Sequence, residues 1–397
     1  MIDRPYYVQK LIGFKDKQLI KIVTGVRRCG KSTLFQLFQE YLLNNGAAPN
    51  QIQTINLEDV DNTPLLDYAV LHNTIKARLV SDKMNYVFLD EIQNVPDFQK
   101  AANSLFIKKN VDLYLTGSNS RVLSGEWATM LSGRYVTIQM LPLSFKEYAS
   151  AFPGTSNVPE LYRHYIENSS FPYTLELQNS RDQIHDYLRG LYSTVLLKDI
   201  IENKKIVDVM QLENVIKFMF NNIGNEVSVN KIKNTLATDG RKITPQTIEH
   251  YLEALTDSFI LYKAGRYDVK GKQYLKTLEK YYLVDIGLRS FLLGNANTDA
   301  GHILENVIYL ELIRRGYTVY IGKVGAAEVD FVATKNGRCE YYQAALTVLD
   351  PATLKRELAP LDAIADHNPK YLITADYFPA SSYNGIQHVN AFDWLLE

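Results

Sequence analysis

Eight residues near the N-terminus have types and spacing that could do chemistry. Gly25-Val26-Arg27-Arg28-Cys29-Gly30-Lys31-Ser32 fits the pattern G-x-x-x-x-G-K-S. Gly25 and Gly30 let the backbone wrap closely around an anion and turn its N–H groups inward. Lys31 reaches toward β- and γ-phosphates, and Ser32 offers a hydroxyl to Mg²⁺. A helix opening after the loop adds its positive dipole end at the phosphates. The nucleotide-binding stretch is therefore read as Gly25, Arg27, Arg28, Cys29, Gly30, Lys31, Ser32 and Thr33. A second element supplies acids. In Tyr86-Val87-Phe88-Leu89-Asp90-Glu91, four apolar residues bury a strand and deliver two carboxylates to its C-terminal end. That is the end at which open α/β sheets bind ligands. Asp90 is expected to hold the metal, directly or through water, and Glu91 to polarise an attacking water as general base. The competing readings are a chance glycine-rich turn and a solvated acidic strand end.

These residues need elements to position them. Leu19–Thr24 is a short apolar run before Gly25, which suits a buried strand. Thr33–Leu43 places Leu34, Leu37, Phe38, Tyr41 and Leu42 on one helical face. Strands are expected at 52–57, 86–89, 111–116 and 135–141, and a helix at 97–108. Strands alternating with helices predict a mainly parallel sheet with helices on both faces. After Pro142 the pattern turns mostly helical to Val209, and 186–201 is its most apolar stretch. Phe152-Pro153-Gly154-Thr155-Ser156-Asn157 is a loop rich in turn formers. From His302 the order helix, three strands, helix, strand marks a second, smaller α/β unit.

Composition bounds the rest. The 397 residues have 43 Lys and Arg against 44 Asp and Glu, so no overall excess points to nucleic acid or a membrane. Cys29 and Cys339 are too few for a disulfide scaffold or a cysteine zinc site, and fit a reducing compartment. The start of the chain has no secretory pattern and no run of about 20 apolar residues occurs. The expectation is a cytoplasmic protein with no membrane partner. Seven histidines without H-E-x-x-H spacing give no zinc site. Cys29, near Lys31 and a helix N-terminus, sits where a thiol could be activated, against the plainer reading of a loop filler.

Two helices, at 229–236 and from Pro245 with Thr244 as N-cap, precede a strand at 259–263 and a basic turn at 266–272. Together they resemble a winged helix. Its basic footprint is thin: 226–289 holds eleven Lys and Arg against eight Asp and Glu. The second helix carries Glu249 and Glu253, and only Gln246 and His250 are placed to read a base edge. DNA as a partner is therefore weakly supported, and a packing or protein-contact role is favoured.

GVRRCGKST, YVFLDEIQ, LTGSNS and LSGRY followed by LPLSFKEY resemble the bacterial and archaeal AAA-type ATPases with a C-terminal domain of unknown function. LYSTVLLKDII, DIGLR, HILENVIYLELIRRGYTVY and EVDFVA extend the resemblance over nearly the whole chain. It implies an α/β fold with a P-loop NTPase core of AAA+ type at 1–150. A helical and winged-helix-like region at 151–290 and a nuclease-like α/β domain at 291–397 follow. It implies ATP and Mg²⁺ as cofactors and Asn119, or alternatively Ser118, as polar sensor of the γ-phosphate. It also implies Arg134 as an arginine finger presented to a neighbouring subunit, hence a homo-oligomer with a shared active site; the plain alternative is a surface arginine. The C-terminal unit resembles the PD-(D/E)xK nuclease fold, with Glu305 and Asp330 at its first acidic positions. Gln343 stands where the second strand acid is expected and Ala345 where the lysine is expected. A neutral amide is a poor ligand for a hard cation, so nuclease activity is not expected. The expected activity is ATP hydrolysis coupled to movement of the C-terminal parts. Its rivals are a slow nucleotide-gated switch and an ATP-dependent nuclease.

Overall fold

The computed structural model describes residues 2–118, 131, 133–177, 180–238, 243–294, 299–377 and 381–397. The chain divides into two compact units near Pro142/Leu143.

The first unit opens with helix α1 (Pro5–Phe14) and strand β1 (Ile20–Thr24), followed by α2 (Lys31–Asn44) and β2 (Ile52–Asn56). Then come α3 (Tyr68–Ala77), β3 (Asn85–Asp90), α4 (Phe98–Phe106), β4 (Val111–Gly117) and β5 (Tyr135–Gln139). The sheet order is β2-β3-β4-β1-β5 and every pairing is parallel. The reason lies in the strands. β1, β3 and β4 are buried along their whole length, as parallel strands covered on both faces must be. Side chains alternate between two cores. Val87, Leu89, Leu113 and Leu115 pack on one side, among Leu71, Ile75, Phe98 and Leu105 of α3 and α4. Phe88 and Tyr114 point the other way, stack with ring centroids 4.8 Å apart, and meet Phe35 and Phe38 of α2. The order places β4 between β3 and β1, so the ends of these three strands share one edge.

The second unit begins with α5 (Phe145–Ala149), α6 (Val158–Asn168) and α7 (Arg181–Gly190). A π-helical segment at Leu191–Leu197 leads into α8 (Lys198–Lys204) and α9 (Val209–Asn221). Next are β6 (Glu226–Val227), α10 (Val229–Thr238), α11 (Pro245–Asp257), β7 (Leu261–Asp268) and β8 (Gln273–Leu283). Thr244 accepts from the Thr247 N–H, so it caps α11 as its sequence predicts. Then follow α12 (Ile286–Leu293), α13 (Ala300–Arg314), β9 (Thr318–Val324), β10 (Ala327–Lys335), β11 (Arg338–Ala345) and α14 (Pro351–Asp362). The chain closes with β12 (Lys370–Thr374), β13 (Ser381–Tyr383), β14 (Ile386–Asn390) and α15 (Ala391–Leu396). The strands of this unit form one sheet, ordered β13-β14-β12-β11-β10-β9-β7-β8-β6. The hairpin β7–β8 joins β9 through Arg266–Asp268 against Ile321–Lys323, so part of the expected basic turn is strand.

Two quoted motifs acquire a structural meaning in this unit. In DIGLR, Asp285 caps α12 through the Leu288 N–H and accepts from the Ser170 N–H and hydroxyl, both at 2.7 Å. A side chain on Gly287 would meet Ser169 at 2.4 Å, and Arg289 donates to the Phe220 carbonyl and Asp299. In LENVIYLE, the Asn306 amide closes a two-way pair with the Leu283 backbone, tying α13 to β8. Among the described residues no helix is long and apolar enough to cross a membrane.

Candidate nucleotide site

The glycine loop joins β1 to α2, as the spacing predicts. Gly25 must be glycine: a Cβ there would lie 2.1 Å from the Met140 carbonyl oxygen. Gly30 caps α2 in the left-handed region at φ 101°. Lys31 is buried, and its Nζ donates to the Gly25 and Val26 carbonyls at 3.2 and 3.4 Å. Ser32 and Arg28 are exposed, while Thr33 and Arg27 are half-buried. Arg27 pairs with Glu58.

Asp90 and Glu91 stand at the end of β3, both buried. The Thr116 hydroxyl, from β4, donates to Asp90 Oδ1 and accepts from the Glu91 N–H at 2.8 Å. Glu91 adopts φ 53°, ψ 53°, a conformation that costs a non-glycine residue on the order of 1–2 kcal/mol. Its carboxylate lies 3.5 Å from Lys31 Nζ and accepts from the Gln93 amide, which also donates to Ser118 Oγ at 3.2 Å. Burial works to raise the Glu91 carboxyl. Lys31, Gln93, Arg27 and Ser118 together outweigh it and hold it below the usual carboxylate range. The group is thus ionised at neutral pH, as a base must be.

The structure therefore brings Gly25, Lys31, Asp90, Glu91 and Ser118 to one place. Asn119 lies outside the described residues. Arg134 is exposed; its guanidinium donates to Asn103 and lies 5.7 Å from the Phe106 ring centroid. Cys29 corrects the idea of an activated thiol. It is fully buried, and burial pushes the thiol up more than Lys31 and Arg4 lower it.

Four contributors go beyond the expected site residues. Arg4 is buried and donates to the Cys29 carbonyl at 3.1 Å and the Leu141 carbonyl at 2.7 Å. The Tyr7 hydroxyl accepts from the Leu141 N–H. These two brace the glycine loop against the segment after β5. Thr116 and Gln93 fix the acids. Thr116 and Gln93 lie inside two of the quoted motifs, LTGSNS and YVFLDEIQ, but their spacing alone gives neither a role.

The sequence matches the family described as "AAA domain" over residues 17–149 and a domain of unknown function, DUF8612, over 159–299. An uncharacterized protein of Haemophilus influenzae is 38% identical over 401 residues, covering 100% of this chain and 99% of its own. The chain belongs to that protein's family, AAA-type ATPases with a C-terminal domain of unknown function. An uncharacterized protein of Methanocaldococcus jannaschii is similar at 30% identity, over 79% of this chain and 71% of its own. The Walker-type ATPase of Pyrococcus abyssi superposes with a TM-score of 0.51 at 15% identity, over 74% of this chain and 96% of that one. That likeness shows the fold. This AAA protein accordingly has an α/β P-loop NTPase core built on a parallel sheet.

Proposed function

We propose that the protein binds ATP with Mg²⁺ at the glycine loop and hydrolyses it, coupling turnover to movement of its C-terminal parts. The observation that carries this reading is the meeting of Lys31, Glu91, Gln93 and Ser118 at one edge of the parallel sheet. The loop backbone cradles the phosphates and Lys31 adds positive charge beside them. The Ser32 hydroxyl and Asp90 carboxylate are hard oxygen donors of the kind Mg²⁺ takes, and would hold it. When bound, the ion neutralises charge on the phosphate oxygens. Glu91, ionised and held by Gln93, takes the proton of the attacking water. Asn119 or Ser118 orients that water.

Lys31 serves two partners in this scheme. A triphosphate competes with Glu91 for its ammonium, so binding frees the carboxylate that the chemistry needs. That competition also supports a second reading, a slow nucleotide-gated switch.

Arg134 is assigned to the neighbouring subunit's site, in a homo-oligomer. Its local partners, Asn103 and a ring face, are weak ones that a phosphate can displace. If so, mixing Arg134→Ala with Glu91→Gln restores turnover that each variant lacks alone; strictly additive rates would sink the shared site.

The three segments 1–150, 151–290 and 291–397 are proposed to act as motor, winged-helix-like relay and nuclease-like output. DNA contact by the relay gains little support. Lys263, Arg266, Lys280 and Arg289 are paired with Glu279, Glu226, Glu305 and Asp299, and the His250 ring lies 3.3 Å from the Lys204 carbonyl. The deciding experiment is ATP hydrolysis with Mg²⁺, with and without duplex DNA, beside Glu91→Gln and Lys31→Ala. Turnover lost in both variants supports hydrolysis here. Binding without turnover in the wild type moves the reading to the switch. Stimulation by DNA would restore the helix pair as a DNA contact.

A further inference from the structure

The second unit buries a charged cluster that the nucleotide site does not use. Glu305 comes from α13, Glu328 and Asp330 from β10, Gln343 from β11, and Lys280 and Tyr282 from β8. Lys280, Glu305, Asp330, Gln343 and Tyr282 are all buried. The resemblance to PD-(D/E)xK nucleases read from the sequence would place a divalent cation among Glu305, Asp330 and the Gln343 position. The residues present do not fit one.

One oxygen of Glu305 and one of Asp330 already face donors. Glu305 Oε1 accepts from the Tyr282 hydroxyl at 2.7 Å and from Lys280 Nζ at 3.2 Å. Its other oxygen lies under Gly224, where a Cβ would stand 3.1 Å from it. Asp330 Oδ2 accepts from the Ala344 N–H at 2.9 Å. Gln343 Oε1 accepts from the Asp330 N–H at 3.3 Å, and its amide nitrogen donates to Glu357. Glu328 takes Lys280 at 2.8 Å and Arg266 at 3.5 Å. The centre thus already contains a cation. A divalent ion beside that ammonium would be repelled at short range in a medium that screens poorly.

We propose that Lys280 takes the place of the metal ion, making this cluster an internal clasp rather than a catalytic centre. One ammonium, carried by the hairpin strand β8, ties together α13 and β10, whose acids lie 25 and 48 residues further along the chain. The lysine missing at Ala345 is supplied from another strand, but to neutralise the acids, not to serve a metal-bound water. Burial pushes the Lys280 ammonium down; Glu305 first, then Asp330 and Glu328, outweigh it, so it stays charged, whereas burial and the Glu305 charge push the Asp330 carboxyl well up. The C-terminal unit then transmits or binds and does not cut.

The test uses the full-length chain without nucleotide, with Mn²⁺ binding followed by loss of the free-ion EPR signal. The wild type and Lys280→Arg are expected to take up Mn²⁺ no better than Glu305→Gln does. Lys280→Met and Lys280→Gln are expected to bind Mn²⁺ at least about tenfold tighter, because a unit positive charge has left the site. Adding Glu305→Gln to Lys280→Met should abolish the gain. Two results would overturn the proposal. One is wild-type Mn²⁺ uptake, or Mn²⁺-dependent cleavage of duplex DNA, that Asp330→Asn removes; this arm holds even if the Lys280 variants fold poorly. The other is a Lys280→Met or Lys280→Gln protein with unchanged circular dichroism and no gain in binding.

Discussion

Two of the three buried lysines among the described residues face a glutamate, and they divide the chemistry between them. Lys31 and Lys280 are 4% and 6% exposed, and each lies against a buried glutamate. The geometry differs. Lys31 stands 3.5 Å from Glu91 and shares its protons with two loop carbonyls, next to exposed Ser32. Its carboxylate partner rides on strained backbone. Lys280 has carboxylates at 2.8 and 3.2 Å, and Gly224 covers the far oxygen of Glu305. A loosely held ammonium beside an open loop is available to a ligand's charge. A tightly held one between two carboxylates is itself the counter-ion. The same residue pair thus reads as reactive or structural according to what else shares the lysine.

Removing the reactive pair has the largest expected effect. Glu91→Gln should lower kcat by about 10²–10⁴-fold, the range for loss of a positioned general base, while ATP binding stays within a few-fold. Lys31→Ala should weaken binding and turnover together. A Glu91→Gln variant with near wild-type kcat would break the comparison at its first term.

The structural pair should show itself in stability instead. Lys280→Met leaves Glu305 buried without its counter-charge and is expected to cost about 3–5 kcal/mol. Chemical denaturation followed by circular dichroism measures it. Adding Glu305→Gln should recover a substantial part, because a neutral amide needs no ammonium. ATP turnover in the absence of denaturant should change little. A loss below about 1 kcal/mol would mean that the cluster is hydrated and the contrast with Lys31 is false.

What the sequence discloses follows the same division. The glycine loop and the Asp90-Glu91 strand end were legible because their chemistry lies in contiguous residues bounded by apolar runs. The parallel core was legible too, since strands such as 86–89 and 111–116 are mostly apolar. Arg4 was not legible, because it contacts Cys29 and Leu141, 25 and 137 residues away. In sequence it is one charge near a terminus. Lys280 was equally silent. Its hairpin was read as part of a basic footprint, whereas its partners lie on later elements. Side chains that work through long-range contacts leave no spacing to read. The hairpin β13–β14 was missed for a different reason: β13 has three residues, and β14 holds Gln387, His388 and Asn390 beside only two apolar residues.

Gln93 gives the smallest and sharpest test. It touches Glu91 and Ser118 and is a positioning residue in this scheme. Gln93→Ala removes one hydrogen bond to a charged group, worth about 1.5 kcal/mol, or roughly tenfold in kcat/KM. Loss of packing alone could produce a similar drop, so the pH profile must decide. The Gln93 hydrogen bond helps hold the Glu91 carboxyl below its usual range. Without it the carboxyl is easier to protonate, and the base must be ionised to act. The acidic limb of kcat/KM should therefore move to higher pH, and Gln93→Glu, placing like charge beside Glu91, should move it further. A tenfold loss with an unmoved limb would confine Gln93 to packing and leave Lys31, Arg27 and Ser118 to tune the base.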